Sequence, residues 1–285
     1  MTSGSEFEAL TQSGDSVLSW GLPRLRDLPW RRTRDPWAIL VSEVMLQQTQ
    51  VSRVVPKWLA FMDAFPTAGD CAAAPLGDVL RLWQGLGYPR RARNLQLAAG
   101  EVTQLGHFPA GLIELLALPG VGQYTARAVM AFAFEVDAAV VDTNIARVFA
   151  RVVGSALTAK QVQSAADQAL PPGMSWEWNQ CLMELGAVLC RPTPNCAQCP
   201  VVAACAWRGI GPDPAVGSAG VSRTQSRFEG SERQARGRLL KALTAGPVPA
   251  AAVNALMSHP AANRLLLALC EEGLVRRDGE TVRLP

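Results

Sequence analysis

The sequence predicts an all-α fold over residues 1–208, and three observations predict it. Apolar residues recur at helical spacing in one segment after another, strand-like alternation is nearly absent, and the breaks are short Gly/Pro turns. Turns of that length let antiparallel helices pack as neighbours.

In chain order, Trp37, Leu40, Val41 and Val44 of WAILVSEVMLQQ fall on one helical face at i, i+3, i+4 and i+7. Similar faces recur in VVPKWLAFM, APLGDVLRLWQ, ARNLQLAAGEV, GLIELLAL, TARAVMAFAF and WNQCLMELGAVLC, divided by FPT at 65–67, GLGYP at 85–89 and LPGVG at 118–122. Residues 209–231 are rich in Gly, Ser and Pro without an apolar period, the composition of a linker. The expected plan is a domain at 1–208, a linker at 209–232 and a small module at 233–285. The module reads as three helices ending in a hairpin around Asp278-Gly279. That pattern resembles a winged helix, with Arg276, Arg277 and Arg283 on a wing that would touch phosphates.

Composition excludes several classes. With 285 residues, 49% apolar and 18% charged, the chain buries a core and is not disordered. No run approaches 18 apolar residues and the first twenty lack a signal-like stretch, so a cytoplasmic protein with no membrane span is expected. The only histidines are His107 and His259, which makes carboxylates the better acid–base candidates. Residues 1–208 carry 17 bases and 17 acids and residues 209–285 carry 10 and 7, so the net +3 sits in the tail. Only local Arg clustering could announce nucleic acid.

Cys190, Cys196, Cys199 and Cys205 fall within 16 residues, with Pro200 after the third. Zinc sites commonly split two Cys/His pairs by a dozen or more residues. Four thiols on one short loop with a Cys-Pro step stand closer to iron–sulfur ligation, in a structural rather than a redox role. Leu118-Pro119-Gly120-Val121-Gly122 joins two helices and would present backbone N–H groups to a phosphate, although a plain helix C-cap reads the same way.

Glu43 interrupts LVSEVML, with Ile39 and Leu46 as its i−4 and i+3 neighbours. Its carboxyl would be desolvated and keep a proton near neutral pH, or else point to solvent beside the stripe. Asp142 follows AAVV and opens DTNIARV as an N-cap, where the helix dipole favours the ionised form. One protonated and one ionised carboxyl can cleave a bond through an oxocarbenium-like state. Arg24, Arg26, Trp30, Arg31, Arg32 and Arg34 form one basic and planar cluster, and Tyr88, Arg90, Arg91 and Arg93 another. Each suits either phosphate contact with stacking or a solvated face.

In this order the pieces resemble the helix-hairpin-helix DNA glycosylases that carry an iron–sulfur loop. LPWRRTRDPWAILVSEVMLQQTQV, LWQGLGYPRRARNL, ALPGVGQYTARAV, VVDTNIARV and MELGAVLC resemble more narrowly the MutY-type adenine glycosylases, over about residues 20–208. LQQTQ and GLGY separate that group from the endonuclease III and thymine-mismatch branches. The resemblance implies a two-lobed helix-hairpin-helix fold with a [4Fe-4S] cluster on Cys190, Cys196, Cys199 and Cys205. It implies a monomeric enzyme that flips adenine out of double-stranded DNA, opposite 8-oxoguanine or guanine, and leaves an abasic site.

By motif, Glu43 resembles the general acid that protonates the departing adenine. Asp142 resembles the carboxylate that stabilises the sugar cation, with Asn144 and Tyr124 orienting groups around it. Arg26, Leu28, Trp30, Arg31 and Glu184 resemble the adenine pocket. Gln48, Thr49, Leu86 and Tyr88 resemble the residues that wedge the stack and meet the opposite base, and Gly120 and Gly122 those that hold phosphate. Tyr124 stands where lyase relatives carry the Schiff-base Lys, which implies a monofunctional enzyme.

The chain departs from the family in two places. Its first cysteine gap is five residues where six is common, and it ends before the usual domain that reads 8-oxoguanine. Two other readings remain: a related thymine-mismatch or bifunctional glycosylase, and a non-catalytic cluster-bearing DNA-binding protein that has no need of Glu43 or Asp142.

Overall fold

The computed structural model describes residues 10, 13–221 and 227–285. Residues 222–226 of the expected linker, and 1–9, 11 and 12 of the expected first domain, lie outside the described residues. The helices are α1 (Gly14–Gly21), α2 (Pro36–Leu46), α3 (Val51–Ala64), α4 (Ala68–Ala73), α5 (Leu76–Trp83), α6 (Arg90–Leu105) and α7 (Leu112–Ala117). They continue as α8 (Gln123–Ala133), α9 (Thr143–Val153), α10 (Ala159–Ala169), α11 (Ser175–Val188), α12 (Glu232–Ala245), α13 (Val253–Met257) and α14 (Ala262–Glu271). Strands β1 (Val248–Pro249), β2 (Arg276–Asp278) and β3 (Thr281–Arg283) form one small sheet. Among the described residues every strand lies in the tail, as the all-α expectation for 1–208 requires.

Two compact units divide the chain, and neither is contiguous in sequence. The first holds Met1–Pro36, Ala110–Leu115 and Val121–Arg223. Here α11 packs on α1, α8 and α9 over a core built on Trp178, Phe149, Ile145 and Leu182. Asp142 caps α9 by accepting from the Ile145 amide at 2.7 Å. Gly154 ends α9 at φ +80°, where a Cβ would also stand 2.8 Å from that of Ala206.

The second unit holds Trp37–Pro109, Leu116–Gly120 and Thr224–Pro285. Its helix α2 is buried from Trp37 to Met45 on every side, not along the single face expected. An all-round apolar sequence makes a central helix, and the Trp58 indole ties α3 to it by donating to the Ala38 carbonyl at 2.9 Å. In the tail, β3 pairs antiparallel with both β1 and β2, and Gly279 turns the hairpin at φ +60°. The order α12-β1-α13-α14-β2-β3 keeps the expected three helices and terminal hairpin, with β1 added. Two residues, Val248 and Pro249, are too short to show alternation.

The tail is not a free module on a bare linker. It shares the second unit with α2–α6: Glu272 pairs with Arg90 at 3.0 Å, and the Gly77 amide donates to the Pro285 carbonyl at 3.0 Å. The start of the expected linker is bonded into the first unit. Asp213 accepts from Arg151, and Ser218 Oγ accepts from the Leu157 amide at 3.0 Å. Composition shows the missing apolar period but not these polar anchors.

Candidate active site

Asp142 and Asn144 are brought together in the first unit by the start of α9. Asn144 Nδ2 donates to Asp142 Oδ2 at 2.9 Å, and its Oδ1 accepts from Arg147 at 2.8 Å. Gly186 on α11 permits this approach, since a Cβ there would lie 2.6 Å from Asn144 Cβ. Burial pushes the Asp142 carboxyl above its ordinary value, against the pull of Ile145, Asn144 and Arg147. The dipole argument from sequence pointed the other way; desolvation outweighs it here. Tyr124 sits half-buried in the first turn of α8.

The expected adenine-pocket residues also meet in the first unit. Glu184 is fully buried and takes Arg26 Nε at 3.0 Å and Arg31 Nη1 at 2.8 Å. Arg31 Nε donates to Gln180, which the sequence reading had not singled out. Leu28 and Trp30 are buried on the same short segment. The remaining arginines of that cluster are tied to protein partners: Arg24 to the Trp20 carbonyl, Arg32 to Asp27, and Arg34 to Glu135.

Glu43 belongs to the second unit, on α2, where it is 4% exposed. The solvent-facing alternative is thereby excluded. Gln48 and Tyr88 both take left-handed backbone, at φ +55° and +48°, which side chains with a Cβ adopt only when their surroundings impose it. Arg91 imposes it. Its Nη1 donates to the carbonyls of Val44, Met45 and Gln47, and its Nη2 to Thr49 Oγ1 and the carbonyls of Leu86 and Gly87, all at 2.7–3.2 Å. One guanidinium therefore fastens both loops and lies over the Trp83 and Tyr88 rings. Burial lowers its pKa to about 10. The expected phosphate-contact role is corrected for Arg91, which points inward, while Arg90 pairs with Glu272.

Gly120 turns the hairpin at φ +79°, and a Cβ there would meet Asn94 Cβ at 2.7 Å. Gly122 is the N-cap of α8 and brings no capping side chain, so the helix start is closed by backbone alone.

The four loop cysteines ring one cavity in the first unit, together with Val148, Val152, Leu185, Leu189 and Val201. Among the described residues no group of three or more His, Cys, Asp or Glu side chains is arranged to hold a metal ion. Arg151 braces the loop. It donates to Cys190 Sγ at 3.4 Å and to the carbonyls of Cys190, Arg191 and Pro192, while its own carbonyl accepts from Cys205 Sγ. Arg147 Nε donates to the Cys190 carbonyl at 2.6 Å. Sequence reasoning missed both arginines, although their i, i+4 recurrence within the apolar NIARVFARVV was a visible signal.

Residues 41–172 match the model of the HhH-GPD superfamily of base excision DNA repair proteins. An adenine DNA glycosylase of Mycolicibacterium smegmatis is 42% identical over 278 residues, covering 93% of this chain and 92% of that one. The chain belongs to the adenine DNA glycosylases. The Homo sapiens adenine DNA glycosylase is 44% identical over 212 residues, 68% of this chain and 39% of its own. Among solved structures, a thermostable thymine-DNA glycosylase superposes with a TM-score of 0.65 at 29% identity, covering 72% of this chain and 97% of that one.

Proposed function

We propose that this base-excision glycosylase, which removes adenine from DNA, acts on adenine opposite 8-oxoguanine or guanine in a duplex and leaves an abasic site, as a monomer on intracellular DNA. The observation that carries the reading is the enclosure of Glu43 in the apolar helix α2. Burial disfavours the ionised form of a carboxyl, and a protonated carboxyl at this position would be the acid that the leaving base needs.

In the reaction, the N-glycosidic bond breaks with its electron pair on adenine, which accepts the Glu43 proton. Asp142, oriented by Asn144, faces the positive charge left on the sugar. Water adds at the anomeric carbon and its proton passes to a carboxylate. Tyr124 offers no amine for a Schiff base, so strand cleavage does not accompany base loss. Arg26, Leu28, Trp30, Arg31 and Glu184 form the base pocket. Gln48, Thr49, Leu86 and Tyr88, fastened by Arg91, meet the opposite base, and the amides after Gly120 and Gly122 hold phosphate.

Cys190, Cys196, Cys199 and Cys205 fit a [4Fe-4S] cluster in donor type and number, since all four line one largely apolar cavity. When bound, such a cluster supplies a rigid cross-link for the loop. Arg147 and Arg151 beside it offset thiolate charge.

Single-turnover assays on duplexes with A, T or U opposite 8-oxoguanine or G test the reading. Adenine release opposite both purines is expected. Release of thymine or uracil instead, or strand cleavage keeping pace with base loss, overturns it.

A further inference from the structure

Within the second unit a groove of about 810 Å³ runs between α12 and the loop at 84–90, well beyond a packing defect. Six cations line it (Arg53, Arg90, Arg233, Arg236, Arg238 and Lys241) against the two acids Glu232 and Glu272. Those acids are already engaged. Glu272 is shared by Arg90 and Arg236, and Glu232 pairs with Arg264, which is not part of the lining. Among the described residues Arg53, Arg238 and Lys241 make no ion pair and all three are exposed, with Arg238 Nη1 donating to the Met257 carbonyl at 3.4 Å.

Aromatic rings stand among these charges. Tyr88 and Phe228 are 37% and 58% exposed. Arg233 bridges them, with Nη1 donating to the Tyr88 hydroxyl at 3.1 Å and its guanidinium over the Phe228 ring. Cationic walls with accessible rings suit a nucleic-acid strand better than an acidic peptide, which has no use for the stacking faces. The wing is a poorer candidate than sequence suggested, because Arg283 pairs with Asp278.

We infer that this groove is a DNA-backbone site, receiving phosphates of the strand whose base stands opposite the adenine. The inference rests on the proposed role of Gln48 and Tyr88, which line the groove's edge. The tail then serves the enzyme through α12, by electrostatic positioning rather than base reading.

The test compares the full-length chain with Arg238→Ala/Lys241→Ala, with Arg53→Ala from the opposite wall, and with the wing pair Arg276→Ala/Arg277→Ala. Equilibrium binding to matched and A:8-oxoguanine duplexes is followed from 50 to 200 mM salt. Losing two phosphate contacts lowers the log–log salt slope by about 1.8, so the parent's affinity advantage shrinks roughly twelve-fold across that range, equally on both duplexes. Arg53→Ala should lower the slope by about half as much. An unchanged slope in both groove variants overturns the inference, and so does an equal effect from the wing pair. A loss confined to the 8-oxoguanine duplex would make the groove a base reader, and intact DNA binding with lost affinity for an acidic peptide would make it a protein site. Either refutes the backbone assignment. Matched-duplex binding is read without catalysis, so this result and that of the excision assay can fail separately.

Discussion

Asn144 turns both ends of its amide to use: Nδ2 donates to Asp142 Oδ2 at 2.9 Å, and Oδ1 accepts from Arg147 at 2.8 Å. The same Arg147 donates to the Cys190 carbonyl, so a continuous hydrogen-bonded line runs from the carboxylate to the cysteine loop. Glycine at 186 keeps that line compact, because any side chain there would collide with Asn144.

Replacing Asp142 by Asn should separate stability from activity. Asn caps a helix as well as Asp does, and it removes a charge that burial disfavours. The raised pKa means that the folded chain holds this proton more tightly than the unfolded chain. Ionisation therefore subtracts stability as pH rises from the ordinary carboxylate value through the folded one. Asp142→Asn should melt at or above the parent temperature at neutral pH, an advantage that vanishes below the ordinary carboxylate pKa. Its single-turnover excision should fall about 10²–10³-fold. A variant that melted clearly lower, or excised at the parent rate, would contradict the account.

The pH profile gives a second check through Asn144. Its hydrogen bond favours the ionised carboxylate, so Asn144→Ala should raise the Asp142 pKa further. The acid limb of the single-turnover rate should move up, and a limb that stays in place would show that ionisation of Asp142 does not set it.

Glu184 compensates two arginines at once, and burial already lowers the Arg31 pKa. Truncation to Ala leaves Arg31 buried without its carboxylate, at a cost of about 3–5 kcal/mol. Glu184→Gln keeps an acceptor and should recover part of that in thermal melts. If both variants melted with the parent, the pair would be a surface-like contact despite its burial.

Much of this was legible in the sequence because it depends on local pattern. The cap at Asp142, the four cysteines and the hairpin at Asp278-Gly279 are short-range features whose chemistry is visible in a few residues. Arg91, Arg147 and Arg151 were not legible in the same way. An arginine on a helix reads as a solvated charge, and only tertiary packing decides that these three turn inward onto carbonyls. The docked stretch at 213–219 was hidden for the same reason: its Gly/Pro composition is that of a linker, while its anchors are single polar atoms bonded to residues about sixty positions away.

Arg91 gives the sharpest remaining prediction. It satisfies the carbonyls of Val44 and Met45, at and near the end of α2, and also binds the loops that carry Gln48 and Tyr88 in left-handed backbone. Arg91→Met keeps the apolar stem but leaves several carbonyls unpaired, each costing about 1–3 kcal/mol where water cannot reach. Water will reach the loop carbonyls more readily than those of α2, so the net loss should be about 3 kcal/mol and lower the melting midpoint by roughly 5–10 °C. Once freed, Gln48 and Tyr88 can relax toward ordinary backbone. The ratio of excision opposite 8-oxoguanine to excision opposite guanine should then change before the release of adenine itself is lost. Arg91→Lys should rescue little, because one ammonium cannot reach six acceptors spread over a helix end and two loops. A Lys variant with the parent's melting midpoint and opposite-base preference would show that the loops hold their shape without the clamp.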